Sequence, residues 1–366
     1  MKALLVIEDG TIIEGEGFGA EKTIFGELVF NTNMSGYQES LTDPSYKGQI
    51  LMMTYPLIGN YGINKSDFES EKIQPEGFVV NEICDLPSHR SEDMTVSEFL
   101  NKYNVPGIAD IDTRALTIKT RKYGTMKAAL ATFSNGNGID RAKLMEKVKT
   151  MPYPDSRNLV GDVSCKKAIH RKGKKKKRVV VVDCGVKENI IRSLLPHCSV
   201  VQVPYDTTAD EIRKLKPDGI LVSNGPGDPA HPDVLSRTGK MLEEIIQEYP
   251  VMGICLGHQI MSIVLGAKTF KLKFGHRGGN QPVKDLSSGK VYITSQNHGF
   301  AVAPDPVSEM VFTHVNVNDK TIEGMRHESL PVFSLQYHPE ACPGPKDSRY
   351  LFSEFIEIVK SQGRGG

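Results

Sequence analysis

The sequence predicts an α/β protein: a β-rich α+β domain first, then a C-terminal domain built on a mostly parallel sheet with flanking helices. Three observations carry this. From Val179 onward, short apolar runs alternate with helix-period segments, the order that builds a parallel sheet. The run 179–183 is apolar almost throughout, as a strand covered on both faces must be. Before residue 150, strand-like runs predominate and are broken by turn signals. The predicted division is residues 1–150, a linker over 151–177, and a second domain over 178–366. A chain of 366 residues is long enough for two cores.

The elements follow in order. Residues 3–7 and 11–13 read as strands joined through Asp9-Gly10, a hairpin turn. Strands follow at 27–31, 49–55 and 78–80. Thr95 and Glu98 form a capping box that opens a short helix through Leu100. Asp110-Ile111-Asp112-Thr113-Arg114 leads a basic helix toward Arg121. The linker begins with Pro152 and Pro154, which exclude regular structure locally, and ends in the basic run 171–178, a like-charge block that stays solvated.

The second domain then alternates. A strand at 179–183 precedes a helix at 187–195, and a strand at 200–204 precedes a helix opened by the Thr208/Glu211 capping box. A strand at 219–223 runs into Gly225-Pro226-Gly227. A helix is expected over 234–249 and a strand over 251–254. After Lys268 the pattern is β-rich, with strands at 290–295, 310–317 and 332–337, and a helix over 350–359 closes it.

The chemistry concentrates at Val251-Met252-Gly253-Ile254-Cys255-Leu256-Gly257-His258-Gln259. This reads as a buried strand, a one-residue turn carrying Cys255, and a helix from about Gly257 to Gly266. Gly253 and Gly257 flank the cysteine at the spacing of a nucleophile elbow, where neighbours of the nucleophile have no room for side chains. The helix start favours a thiolate there. A small buried hydrophobe at a strand end is the alternative, since free cysteines are commonly core. The strand 332–337 ends in His338-Pro339-Glu340. A cysteine nucleophile needs an imidazole to move its proton, and the imidazole needs an orienting acceptor. Cys255, His338 and Glu340 are therefore the candidate triad.

Gly-Ile-Cys-Leu-Gly-His-Gln followed by His-Pro-Glu resembles the triad-type, class I glutamine amidotransferases. Ser223-Asn224-Gly225-Pro226-Gly227-Asp228-Pro229 and Ser295-Gln296-Asn297-His298-Gly299-Phe300 are similar to the glutamine-pocket segments of carbamoyl-phosphate synthetase small subunits. Residues before 150 resemble the same family. The resemblance implies a γ-glutamyl thioester on Cys255, with an oxyanion held by the N–H groups of Leu256 and Gly225. It implies L-glutamine contacts at Ser45, Gly227, Gln259, Asn297, Gly299 and Phe300, with Ser45 taken from Thr42-Asp43-Pro44-Ser45-Tyr46. It also implies a large synthetase subunit as partner, carrying the ATP and Mg²⁺. No cofactor is expected in this chain. One departure is Arg277, in Phe274-Gly275-His276-Arg277-Gly278-Gly279-Asn280, where the family suggests a second histidine.

Other classes are disfavoured. Lys and Arg number 45 against 44 Asp and Glu, with no Trp, which argues against nucleic acid as a partner. The six cysteines form no C-x-x-C, and their sparse spacing fits a reducing, cytoplasmic setting. No run approaches the length of a membrane span, and the first apolar stretch is too short for a signal peptide. A zinc site from His258, His298, His314 and His338 lacks ligand-like spacing, so no metal is expected. A free-standing cysteine hydrolase would not need the first 150 residues, and a decayed scaffold should have lost Cys255 or His338.

Overall fold

The structure, a computed structural model, describes residues 1–134 and 139–362, and it divides into two compact units, Met1–Ser156 and Arg157–Gly366.

The first unit is a closed barrel. Its strands are β1 (Lys2–Ile7), β2 (Ile12–Gly19), β3 (Thr23–Asn31), β4 (Gln49–Met53), β6 (Gly77–Val79), β8 (Pro106–Ala109) and β9 (Met126–Phe133), with β5 (Leu57–Ile58) and β7 (Glu82–Ile83) pairing separately. Around the barrel the order is β1-β2-β8-β6-β4-β3-β9. The Asp9-Gly10 turn joins β1 to β2 as an antiparallel pair. Among the described residues, four α-helices accompany the strands: α1 (Tyr37–Thr42), α2 (Val96–Lys102), α3 (Thr113–Tyr123) and α4 (Arg141–Thr150). The capping box opening α2 forms, with Thr95 accepting from the N–H of Glu98 and Glu98 accepting from that of Thr95.

The second unit carries one sheet of ten strands. Its strands are β10 (Ile169–Arg171), β11 (Arg178–Asp183), β12 (Ser199–Pro204), β13 (Gly219–Val222), β14 (Val251–Ile254), β15 (Thr269–Asp285), β16 (Val291–Val302), β17 (Met310–Asn316), β18 (Ile322–His327) and β19 (Val332–Leu335). The order is β10-β12-β11-β13-β14-β19-β18-β16-β15-β17. Helices α5 (Leu159–Val163), α6 (Glu188–Leu194), α7 (Ala209–Lys214), α8 (Pro232–Val234), α9 (Lys240–Ile245), α10 (Leu256–Val264) and α11 (Tyr350–Gln362) belong to this unit.

This corrects the expected mostly parallel sheet. β12, β11, β13, β14 and β19 run parallel, while β10 and the other half, β15 to β18, pair antiparallel. The reason is connectivity. Between β15 and β19 the chain returns by short turns with no crossover helix, and short turns can only join antiparallel neighbours. The parallel half lies between two apolar layers. Ile190, Leu194, Phe352 and Phe355 cover one face, and Ile212, Leu242, Ile260 and Met261 cover the other.

Two further expectations change. Part of the predicted linker is structured: Asn158 caps α5, Val160 enters the core, and β10 adds to the sheet edge beside β12. Its basic run is partly neutralised, with Arg171 bidentate to Glu188 and Lys177 on Asp218. The single helix expected over 234–249 is broken by a π-turn at Leu235–Gly239. There the buried Thr238 hydroxyl bonds the Tyr205 carbonyl and Gly239 offers little helix preference.

Candidate active site

The elbow sits where β14 passes into α10. Cys255 has φ 53° and ψ −104°, a backbone conformation that residues with a Cβ rarely adopt. Both flanking glycines are required by space. A Cβ on Gly257 would lie 2.1 Å from the Val222 carbonyl oxygen, and one on Gly253 would lie 2.5 Å from Met261 Sδ. The turn is pinned from both sides: Cys255 N–H donates to the Leu335 carbonyl at 2.8 Å, and Gly257 N–H donates to that of Ser223 at 3.0 Å. The Cys255 thiol is buried, its sulfur 3.6 Å from the Asn297 carbonyl oxygen.

The imidazole arrives from the neighbouring strand. β14 and β19 are parallel neighbours, so their carboxyl ends lie together, one carrying Cys255 and the other leading to His338. The His338 N–H donates to the Ser295 carbonyl at 2.9 Å, which fixes the loop after β19. His338 Nδ1 meets Glu340 Oε1 at 2.6 Å, and Nε2 has no hydrogen-bond partner. Burial disfavours a proton on His338, but Glu340 and the contact with Cys255 outweigh it and raise its proton affinity well above that of an ordinary imidazole. Burial likewise opposes charge on Glu340, and the Lys187 ammonium together with His338 holds the carboxyl well below its usual range.

Lys187 was not found from sequence. Its Nζ lies 3.1 Å from Glu340 Oε1 and donates to the Ala341 carbonyl at 2.7 Å, with the side chain only 3% exposed. Asn189 Nδ2 donates to the Glu340 carbonyl at 2.6 Å. Both stand at the start of α6, after β11, and both hold the loop that carries the triad acid. The one sequence signal was a lysine inside an otherwise apolar strand-to-helix turn, Cys184-Gly185-Val186-Lys187.

The remaining expected residues fall as follows. Gly225 and Gly227 lie on the loop after β13. A Cβ on Gly225 would sit 2.0 Å from the Cys184 carbonyl oxygen, and Gly227 has φ +92°. Asn224 Oδ1 accepts from the Lys187 N–H, which anchors this loop. Leu256 opens α10, where no carbonyl one turn earlier is available to its N–H. Asn297, Gly299 and Phe300 line β16 beside the elbow. Gln259 Nε2 donates to the Phe300 carbonyl at 2.7 Å and to Gln336 Oε1 at 2.9 Å, so it braces α10 against β16 and β19. Ser45 belongs to the first unit, in a 3-10 turn at Pro44–Tyr46, where its N–H donates to Asp43 Oδ1. Arg277 Nη1 donates to the Phe274 carbonyl within β15.

The four-histidine zinc set does not assemble. His258 Nδ1 is on Ser334 Oγ, and His314 is beside Thr313 and Tyr337. Among the described residues, metal-type donors gather in one place, His276, His298 and Glu323.

The arrangement sets a thiol at a helix start close to an imidazole that a buried carboxylate orients, which can serve nucleophilic chemistry. Comparison with known proteins gives the family. Residues 5–130 match the CPSase domain of the carbamoyl-phosphate synthase small chain, and residues 180–358 match the class-I glutamine amidotransferase model. The chain is 52% identical to the carbamoyl phosphate synthase small chain of Methanocaldococcus jannaschii, over 98% of this chain and 99% of that one. It is 50% identical to that of Archaeoglobus fulgidus over 98% and 99%. With the pyrimidine-specific small chain of Bacillus subtilis it shares 47%, over 100% and 98%.

Proposed function

The chain belongs to the carbamoyl phosphate synthase small-chain family, and from that premise we propose that Cys255, His338 and Glu340 perform its glutamine hydrolysis. It is the glutamine-hydrolysing chain, and its ammonia passes to a large synthetase subunit that makes carbamoyl phosphate. On this reading ATP and Mg²⁺ belong to that large subunit.

The Cys255 sulfur, its proton already held on Nε2 of His338, attacks the side-chain amide carbon of L-glutamine. The oxyanion that forms is met by the N–H groups of Leu256 and Gly225, which are fixed before the reaction and need no reorganisation. As the carbon–nitrogen bond breaks, His338 returns the proton to the leaving nitrogen, and ammonia departs. Water, deprotonated by His338, then attacks the γ-glutamyl thioester and releases glutamate and the thiol. Glu340 keeps Nδ1–H engaged so that Nε2 faces the sulfur, and Lys187 keeps Glu340 ionised. Asn297, Gly299, Phe300 and Gly227 hold the backbone end of glutamine, and Gln259 positions Phe300 for it.

The observation that supports this most strongly is the buried His338, in contact with Cys255 while its Nδ1 is fixed on Glu340. The test uses the complex with the large subunit. Cys255→Ser should remove glutamine-dependent carbamoyl phosphate synthesis and leave synthesis from ammonium salts intact. Survival of glutamine-dependent synthesis would place the nucleophile elsewhere. Loss of both would give Cys255 a structural role in the complex.

A further inference from the structure

We propose that His276, His298 and Glu323 bind a divalent transition-metal ion of the zinc type within the antiparallel half of the sheet. The three residues come from three adjacent strands. His276 on β15 is register partner to His298 on β16, and Glu323 stands on β18 beside them. All three are buried, and one donor atom from each lies within 4.8 Å of the others.

Two carboxylates, Asp319 and Glu323, face the single imidazole of His276 from its two nitrogens. His276 Nε2 meets Asp319 Oδ2 at 2.8 Å, so the Nε2–H donates to the carboxylate and Nδ1 is left towards Glu323. Nδ1 has no hydrogen-bond partner and lies 3.7 Å from Glu323 Oε1, too far for a bond. His298 Nδ1 faces the Phe300 carbonyl at 2.7 Å and must donate to it, so Nε2 carries a lone pair. That lone pair meets Gln296 Oε1 at 3.0 Å, an acceptor facing an acceptor. Gln296 does not relieve this by turning over, because its amide nitrogen donates to Glu323 Oε2 at 3.0 Å and to Thr294 Oγ1 at 3.2 Å.

A single proton satisfies one of these mismatches and leaves the other. Protonating both imidazoles would place two buried charges on rings whose centroids are 4.9 Å apart. One divalent cation among His276 Nδ1, His298 Nε2 and a Glu323 oxygen removes both at once. It also balances the two carboxylates, Glu323 and Asp319. Two imidazoles and a carboxylate suit zinc and its first-row neighbours. The surroundings are those of a metal site as well: a carboxylate on the far nitrogen of one histidine, a carbonyl on that of the other, and the Gln296 and Asn316 amides orienting Glu323. Zinc–ligand bonds of about 2.0–2.2 Å require the donors to close inward by roughly 1 Å, drawing β15, β16 and β18 together.

The test needs no activity measurement. Untagged full-length protein is stripped with EDTA, and Zn²⁺ is added in competition with a chromophoric zinc chelator. Metal content is read by mass spectrometry and thermal stability by circular dichroism. Expected are about one zinc per chain and a thermal midpoint several degrees higher with zinc. Both should be lost in His276→Ala and in the isosteric Glu323→Gln, which covers the case where the first variant folds poorly. Asp319→Asn should weaken binding about 10- to 100-fold, and His197→Gln should bind as the unaltered chain does. Less than a tenth of an equivalent bound by the unaltered chain would overturn the proposal. So would a thermal midpoint indifferent to zinc, or variants at His276 and Glu323 that bind normally.

Discussion

In the parallel half of the second unit's sheet, the candidate site residues stand on turns beyond the strand ends: Cys255 after β14, His338 after β19, Gly225 after β13 and Lys187 after β11. In the antiparallel half, the polar chemistry lies within the strands, where His276 and Glu323 meet His298 and Gln296 of β16 through cross-strand register. The strand-end groups are set by backbone conformation, so each position tolerates few residue types. The mid-strand groups are set by pairing, so each position looks ordinary until its partner is known.

The largest effects should follow from the strand-end groups. His338→Asn should lower kcat for glutamine hydrolysis by about 10⁴-fold or more, because the imidazole handles a proton at every step. Glu340→Ala should cost roughly a hundredfold less, since it removes only the orienting acid. Steady-state kinetics on the two variants checks this ordering. Near-normal turnover by the His338 variant would remove it from the triad.

A second difference concerns space. Gly257→Ala puts a Cβ on the Val222 carbonyl oxygen, which backbone on both sides must yield to accommodate. A cost of about 3 kcal/mol is expected, lowering the thermal midpoint on the order of 10 °C. Gly289→Ala, in the turn between β15 and β16, meets nothing within 4 Å and should cost only the strain of its φ of +73°. Equal shifts for the two variants would deny that the elbow is the tighter place.

The smallest effect is in pH. Burial opposes both charges of the His338–Glu340 pair, yet Glu340 and the Cys255 contact push His338 up to about 10, while Lys187 and His338 hold Glu340 at about 2. His338 binds its proton more tightly folded than unfolded. Its contribution is therefore whole below the ordinary imidazole value of 6.5 and is lost as pH rises through about 10. The contribution of Glu340 is whole above 4.5 and is lost as pH falls through about 2. Glu340→Gln should therefore lower stability overall, because Lys187 loses its partner, and should flatten the decline on the alkaline side. Thermal midpoints across pH would read this. An unchanged alkaline decline would mean that the pair does not carry these charges.

The same contrast explains what could be read from the chain. Gly253, Cys255 and Gly257 were legible because an elbow demands small neighbours at fixed offsets. The Thr95/Glu98 and Thr208/Glu211 boxes were legible because their partners are three residues apart. Lys187 was not, because its partner is remote in sequence and close only through the order of β11, β13, β14 and β19. β15 and β18 were missed, and with them His276 and Glu323, because polar residues buried by cross-strand partners give no clean alternation. The linker reading failed at Val160 and β10, where a short helix enters the core and an edge strand pairs with β12 ahead of a largely exposed run of lysines.

The central claim is that the strand-end geometry makes one thiol a nucleophile. The direct measurement is brief labelling with a glutamine-mimicking electrophile near pH 8, followed by peptide mapping of all six cysteines. Burial pushes the Cys165 and Cys198 thiols up to about 12 and Cys184 higher still, which silences them, while Cys84 and Cys342 are half-buried and serve as internal controls. Cys255 should be modified first and nearly alone despite its burial, and His338→Asn should slow it towards the controls. Labelling of Cys84 or Cys342 at the rate of Cys255 would contradict the account.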